Sequence, residues 1–193
     1  MSNFRSLRKG AVHAELPGYA AALLASLARQ LIELLSDGEP LEQVATDPLE
    51  AMLDFDAPRE IPEDPALQRL LPDAHRDDAE VAAEFRRFTE RSLREGKVDD
   101  AIVVLRSLGA ESGEPLPESE DTVEFELDRD AARSWMRCLT DLRLTLAARL
   151  GVTADDDDFW ASLPEDDDRL PVHEIYGWLG YLLESLLDAA ARR

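Results

Sequence analysis

The start of the chain is typical of extended structure. Residues 4–8 and 11–16 have the composition of short strands, and Lys9-Gly10 between them suits a hairpin turn. A third segment, 122–127, alternates Val123, Phe125 and Leu127 with polar residues, which is the period of a half-buried strand. The pattern predicts a small antiparallel sheet.

Most of the remaining chain repeats apolar residues at the spacing of amphipathic helices. The first helix begins at Pro17, which suits an opening turn, and ends at Ser36 before Asp37-Gly38. Further helices are predicted at residues 41–53, 65–71, 77–95 with continuation to 108, 128–150 and 172–191, with loops at 109–121 and 153–171. The sequence therefore predicts one mainly α domain over residues 1–193, a helical bundle with a small antiparallel sheet. An α+β arrangement is the alternative.

The strand and helix near the start resemble the strand and helix that follow residue 121. A shift of 111 residues moves Val12 onto Val123 and Leu24 onto Trp135. Two amphipathic helices that follow alternating strands will align somewhere, so coincidence is one explanation. The other is a pseudo-twofold core, in which the two strands pair and the two helices lie side by side.

The charge of the chain restricts its partners. Its 193 residues carry 42 acidic and 21 basic side chains, which gives a formal net charge of −21 at pH 7. Such a charge favours solubility and repels polyanions, so nucleic-acid binding would require a segregated basic face. No segment has the pattern of a secretory signal or a membrane span, and we expect a cytoplasmic protein without membrane contact.

The chain contains a single cysteine, Cys138, which limits its redox and metal chemistry. One cysteine excludes an intrachain disulfide and a cysteine-built zinc site. Cys138 lies at the edge of an apolar helical stripe, where a buried and inert thiol is the ordinary outcome. The alternative, a redox sensor, requires an accessible thiolate.

The residue patterns of common enzymes are absent from the sequence. There is no phosphate-binding loop, no dinucleotide-type glycine pattern, no HExxH and no Gly-x-Ser-x-Gly. The best metal candidate is Asp73, His75 and Asp77, but capping of the next helix by Asp77 or Asp78 explains this acidic segment better. We therefore expect no catalytic residue, no metal and no cofactor. A metal protein or enzyme that uses Asp73, His75 and Asp77 is kept as an alternative.

The helix from residue 77 offers one candidate surface for a partner. One of its faces holds Val81, Phe85 and Phe88, and the opposite face holds Arg87, Arg91 and Arg94. The arginine face suits an acidic partner or a phosphate. Alternatively, Glu84 and Glu90 pair with Arg87 and Arg94 and make it an ordinary solvated face.

The last helix offers a second candidate surface. Its apolar arc is wide enough to bury and contains Ile175, Tyr176, Leu179, Leu182, Leu183, Leu186 and Leu187. Trp178 and Tyr181 lie outside this arc, and large aromatic residues in such positions are candidates for an interface. A second contact within the chain is the other explanation. If the surface is an interface, a homodimer is the default, because it is the commonest assembly.

Several segments together resemble a known family. They are residues 64–74 followed by the acidic residues 77–80, the segment Glu84-Phe85-Arg86-Arg87, residues 127–150 with Trp135 and Asp141-Leu142-Arg143-Leu144, and Tyr176-Gly177-Trp178-Leu179. The chain resembles, over nearly its whole length, an actinobacterial family long classified as a domain of unknown function. The resemblance implies proximity of the gene to that of the Clp protease adaptor, and some members are described as oxidative-stress transcriptional regulators.

The resemblance also implies a redox mechanism that this chain does not share. Such members are thought to use two cysteines spaced along a helix, whereas Cys138 has Ser134 four residues before it and Leu142 four residues after it. We therefore predict a non-enzymatic regulatory or protein-interaction protein, transcription-related and acting through protein partners. Direct DNA binding by Arg86, Arg87, Arg91, Arg94 and Lys97 is the alternative.

Overall fold

A computed structural model describes residues 3–36, 62–72, 78–113, 116, 121–154 and 156–192. In chain order the elements are β1 (Phe4–Ser6), a 3₁₀ turn (Arg8–Gly10), β2 (Val12–Pro17), α1 (Gly18–Leu35), α2 (Pro65–Leu70), α3 (Ala79–Ser107), β3 (Thr122–Leu127), α4 (Arg129–Leu150), α5 (Asp157–Ala161) and α6 (Leu170–Ala191). The predicted fold class, mainly α with a small antiparallel sheet, is confirmed. The helix predicted at 41–53 lies outside the described residues.

The three described strands form one antiparallel sheet in the order β1-β2-β3. Gly10 has φ 79° in the turn between the first two strands, a conformation that glycine adopts without strain. Along β2 the alternate residues Val12, Ala14 and Leu16 are buried, as expected for a sheet with one face on the core. The hairpin and the third strand predicted from the alternation are both present.

The pairing of β2 with β3 bears directly on the predicted repeat. Val12 pairs with Leu127, Leu16 with Val123, and Ala14 with Phe125 between them. Because the shift of 111 residues moves Ala14 onto Phe125 and exchanges the other two pairs, the register is symmetrical under that shift. The strand half of the pseudo-twofold hypothesis is therefore confirmed. Helices α1 and α4 touch one another, but each packs more extensively on α3.

Aspartate side chains cap three of the helices. Asp64 accepts a hydrogen bond from Ala66 N at the start of α2, and Asp78 and Asp128 accept two each at the starts of α3 and α4. Each such cap contributes about 1 kcal/mol to helix stability. The sequence predicted a cap at Asp77 or Asp78, and the structure places it at Asp78. At its other end α4 stops at Gly151, whose φ of 71° gives a left-handed C-cap.

Trp135 on α4 lies at the centre of the core. Its side chain is fully buried, its ring stacks on Phe125 of β3 at 5.1 Å, and the edge of Phe4 of β1 meets it at 6.0 Å. Its indole Nε1 donates a hydrogen bond of 3.1 Å to Ser107 Oγ at the end of α3. One side chain therefore joins the sheet to α4 and α3, and its polar atom is satisfied where it is buried.

Helix α1 is apolar and long enough, by length and composition alone, to cross a membrane. Half of that stretch is buried, with Leu24, Ala28 and Leu31 inside the main hydrophobic cluster. The composition of α1 is therefore that of a central core helix.

Two predicted boundaries are wrong. The loop predicted at 153–171 contains the short helix α5, which the sequence hides because most of its residues are polar or aromatic without an apolar period. Helix α6 begins at Leu170, before the predicted start at residue 172. Pro171 occupies its first turn, where a missing N–H costs nothing, so the proline opens the helix instead of preceding it.

We expect Trp135→Ala to lower the free energy of unfolding by about 3–5 kcal/mol, because it removes the largest buried side chain and leaves a cavity. Trp135→Phe should cost less and keep the fold. Urea unfolding followed by circular dichroism measures both. As a control, Tyr19→Ala changes a residue that is 57% exposed and should alter stability by about 0.5 kcal/mol or less. Equal effects of the two alanine variants would contradict the central position of Trp135.

Candidate functional site

The first half of α3 does not bury the face that its sequence suggests. Val81, Phe85 and Phe88 are exposed, Phe88 by 56%, whereas Arg86 and Glu90 are buried. The predicted pair of Glu90 with Arg94 is present at 2.9 Å, but it is buried and not on the surface. The reason is tertiary, because Arg94 Nη1 also donates to the carbonyl oxygen of Leu35 at 2.7 Å and so caps the end of α1.

The basic residues of α3 are dispersed. Arg87 is partly buried with its guanidinium 4.7 Å from the centre of the Phe88 ring, and Arg91 pairs with Glu95 at 3.0 Å. Arg86 and Arg94 lie inside the protein, and Lys97 is bonded to Asp141. The five basic residues proposed for direct DNA contact therefore do not form an uninterrupted positive surface.

The two aromatic residues proposed for an interface on α6 have different environments. Trp178 is partly buried and packs against the core, which is the contact within the chain that the sequence left open. Tyr181 is 45% exposed. Leu187, predicted inside the buried arc, is 48% exposed, so the buried part of α6 is narrower than that arc.

A groove of about 520 Å³ lies over α4 between α3 and α6. We call it the α4 groove. Its lining includes Leu93, Gly96, Lys97 and Asp100 of α3, Met136, Arg137 and Asp141 of α4, and Leu183 and Leu187 of α6. Leu93 on one wall and Leu187 on the other are each more than 40% exposed. The groove is therefore open to solvent, with apolar side chains on both walls.

Two ion pairs cross from α3 to α4 in the α4 groove. Lys97 Nζ lies 2.6 Å from Asp141 Oδ1, and Arg137 binds both carboxylate oxygens of Asp100 at 2.6 and 2.7 Å. Both carboxylates are buried, whereas the Arg137 side chain is 59% exposed. Burial raises the pKa of Asp141, and the hydrogen bond and charge of Lys97 oppose that rise. The hydrogen bonds to Asp100 raise the pKa of Arg137. Both cations of the groove are thus already neutralised.

Cys138 lies on the inner side of α4 and is fully buried. Burial raises the pKa of its thiol well above the ordinary value, and the nearby carboxylates of Asp141 and Asp100 raise it further against a smaller opposing effect of Lys97. The thiol therefore stays protonated and inaccessible, as expected for an inert core cysteine.

The predicted metal candidate Asp73, His75 and Asp77 lies in residues 73–77, outside the described part of the chain. Among the described residues, no three or more His, Cys, Asp or Glu side chains are grouped so that they could hold a metal ion.

Sequence reasoning missed the α4 groove. The available signal was Gly96, an isolated glycine inside the 29-residue helix α3, where glycine costs about 0.5–1 kcal/mol relative to alanine. The sequence could not show that Gly96 faces Met136 and Leu187, because these residues belong to distant elements.

A family model described as "Domain of unknown function (DUF2017)" matches residues 1–190. The chain belongs to the DUF2017 family. The family resemblance found in the sequence is confirmed. No solved structure matches this DUF2017 chain.

Similar proteins with names occur in mycobacteria. The chain is 33% identical over 181 residues to the "Putative oxidative stress regulator AosR" of Mycobacterium leprae. The aligned region covers 89% of this chain and 78% of that protein. It is 29% identical over 182 residues to the "Oxidative stress regulator AosR" of Mycobacterium tuberculosis, which covers 88% and 77% respectively. The protein of the same name in Mycobacterium bovis gives the same values.

We expect Lys97→Met to destabilise this DUF2017 protein in a pH-dependent manner. Because the pKa of Asp141 is raised on folding, the folded chain binds the carboxyl proton of Asp141 more tightly than the unfolded chain does. The protonated carboxyl therefore favours folding at low pH. This contribution to stability is lost as pH rises through the folded pKa. Removal of Lys97 raises that pKa further. The loss should approach about 3 kcal/mol at pH 8 and be smaller at pH 5, because lower pH favours the protonated, uncharged carboxyl.

Urea unfolding at the two pH values measures this difference. Arg91→Met is the control, because its pair with Glu95 is exposed and worth about 1 kcal/mol or less at either pH. A loss for Lys97→Met that does not change with pH would contradict the burial of Asp141.

We expect the native Cys138 thiol to react with Ellman's reagent at least about 100-fold more slowly than the same thiol in urea, because reaction requires local unfolding. The variant Cys138→Ser/Thr140→Cys moves the only thiol to an exposed position on the same helix and should react quickly without denaturant. Native labelling of Cys138 as fast as this control would refute the buried, protonated thiol.

Proposed function

We propose that this DUF2017 protein is a cytoplasmic, non-enzymatic regulator that acts by binding another protein through the α4 groove. The observation that carries the proposal is the groove itself, which presents Leu93 and Leu187 on opposite walls above neutralised ion pairs. Apolar side chains in an open, polar-rimmed groove are typical of protein contact sites. The names of the mycobacterial relatives support a regulatory role.

Charge supports a protein partner over DNA. Binding to a duplex gains most of its affinity from phosphate neutralisation, which requires available cations. In the described part of α3, Arg94 and Lys97 are bound to acidic partners, and the whole chain carries a net charge of −21. Control of transcription by this protein would therefore pass through a partner that contacts the DNA.

The single cysteine also supports action through a partner protein, in this case for a response to oxidation. Since Cys138 is buried and has no second cysteine to pair with, this chain cannot form its own disulfide switch. An oxidative signal would reach the protein through the partner or through the amount of the protein. The homodimer predicted from Trp178 and Tyr181 stays a prediction, and light scattering at micromolar concentration tests it.

We expect the double variant Leu93→Ser/Leu187→Ser to reproduce the transcript profile of a deletion strain, with and without hydrogen peroxide. The matched control is Leu7→Ser/Tyr19→Ser, which removes two exposed apolar side chains outside the groove and should match the wild type. RNA sequencing of strains that carry each chromosomal replacement measures both, and immunoblots confirm equal protein levels. A groove variant that restores the wild-type profile would contradict the proposal, as would tight binding of the purified chain alone to promoter DNA.

A further inference from the structure

Gly96 lies inside a helix, and no described residue occupies the space that its side chain would fill. A Cβ atom added at Gly96 would meet no atom within 4 Å, although glycine weakens a helix interior by its extra backbone freedom. At Gly180 the situation differs, because an added Cβ would lie 3.3 Å from the guanidinium of Arg143. The fold therefore explains the absence of a side chain at Gly180, whereas at Gly96 the space opens into the α4 groove.

The shape of the α4 groove fits a helix. Its floor is α4 and its walls are α3 and α6, both of which pack along α4. A slot between two helices, with a third as floor, accepts an amphipathic helix that places apolar residues at intervals of three or four along the slot. Leu93, Met136 and Leu187 would contact that apolar face, and the bare backbone at Gly96 allows close approach on one wall.

The charged residues beside the α4 groove indicate which residues should border the apolar stripe of a bound helix. On the α3 side, Asp99 follows Gly96 by three residues and so lies beside it on the helix. On the α6 side, Glu184 and Asp188 lie about 100° round the helix from the lining residues Leu183 and Leu187, on the solvent side of that wall. All three carboxylates are exposed, and none of them has an ion-pair partner among the described residues. Lys97 and Arg137 are occupied by Asp141 and Asp100. The solvent-facing surface that borders each wall of the groove is therefore negative.

We propose that the α4 groove binds an amphipathic helix of a partner protein whose apolar stripe is bordered by basic residues and whose backbone lies against Gly96. The proposal rests on the proposed function and specifies the partner. A second copy of this chain fits less well, because two surfaces of a chain with a net charge of −21 repel one another.

Two synthetic peptides of about 18 residues test the proposal, a length at which a helix can form on its own. Both carry the same leucine stripe, bordered by lysine in one and by glutamate in the other, and fluorescence anisotropy measures their binding to the full chain. We expect the lysine peptide to bind at least about tenfold more tightly, or about 1.4 kcal/mol, and this preference to fall with added salt.

Glycine variants separate groove binding from general attraction to an acidic protein. Gly96→Leu should weaken binding of the lysine peptide at least about tenfold, whereas Gly177→Leu should leave it unchanged. Gly177 is the matched control because it also lies inside a helix with no atom within 4 Å of an added Cβ, but outside the groove lining. Gly96→Leu and Gly177→Leu should both raise Tm by about 2–4 °C, because leucine is a better helix former than glycine and meets open space at either position, so a loss of binding is not a loss of fold.

Several outcomes would overturn the inference. They are equal binding of the two peptides, equal binding of the lysine peptide to the Gly96→Leu and Gly177→Leu chains, and no binding at concentrations on the order of 100 µM. A dimer in light scattering that Gly96→Leu abolishes would assign the groove to a second copy. If any of these occurs while Leu93→Ser/Leu187→Ser still loses regulation in the cell, the proposed function stands and only this choice of partner fails.

Discussion

The position of Trp135 between the sheet and the helices is the contact on which the rest of the structure depends. Its ring is held by Phe4 and Phe125 from two strands, and its indole N–H is bound by Ser107 at the end of α3. Because the three contacts come from three parts of the chain, they fix the rotation of α4 about its axis. With Trp135 turned inward, the opposite side of the same helix must form the floor of the α4 groove.

Helix α4 thus has two chemically different sides. Its inner side carries Trp135 and the buried Cys138, while its outer side carries Met136 and the ion-paired Arg137 and Asp141. The ion pairs join α3 to α4 at the groove, beside the apolar contacts that the two helices make in the core, and they leave neither lining cation available for an anionic ligand. A chain this acidic that nevertheless neutralises its groove is suited to recognition through apolar contact and through the negative surface that borders the groove.

Membership of the DUF2017 family does not by itself imply regulation by cysteine oxidation. Relatives are named as oxidative stress regulators, but the thiol of Cys138 is enclosed by the core and by two carboxylates that disfavour its ionisation. Ser134, four residues before it, accepts a hydrogen bond from Arg137 and belongs to the packing between α3 and α4. In this member the cysteine is therefore enclosed, whereas the α4 groove is open to solvent.

The sequence by itself determined the elements of this protein. Composition and period-two alternation located the strands, and helical spacing located α1, α3, α4 and α6. The predicted cap at Asp77 or Asp78 located the start of α3, because all of these signals depend on residues that are neighbours in the chain. The similarity of two local patterns indicated that β2 and β3 could pair, while the register that brings Ala14 opposite Phe125 came from the structure. The family resemblance rested on the same helix-packing residues.

Only the tertiary structure decided which face each helix buries. In α3 the apolar face of Val81 and Phe88 points outward and Arg94 points inward, because the free carbonyl of Leu35 and the carboxylate of Glu90 lie where Arg94 can bind both. The α4 groove likewise exists only where three helices from distant parts of the chain meet. Local periodicity sets which residues share a face, but the burial of that face depends on atoms that the sequence places tens of residues away.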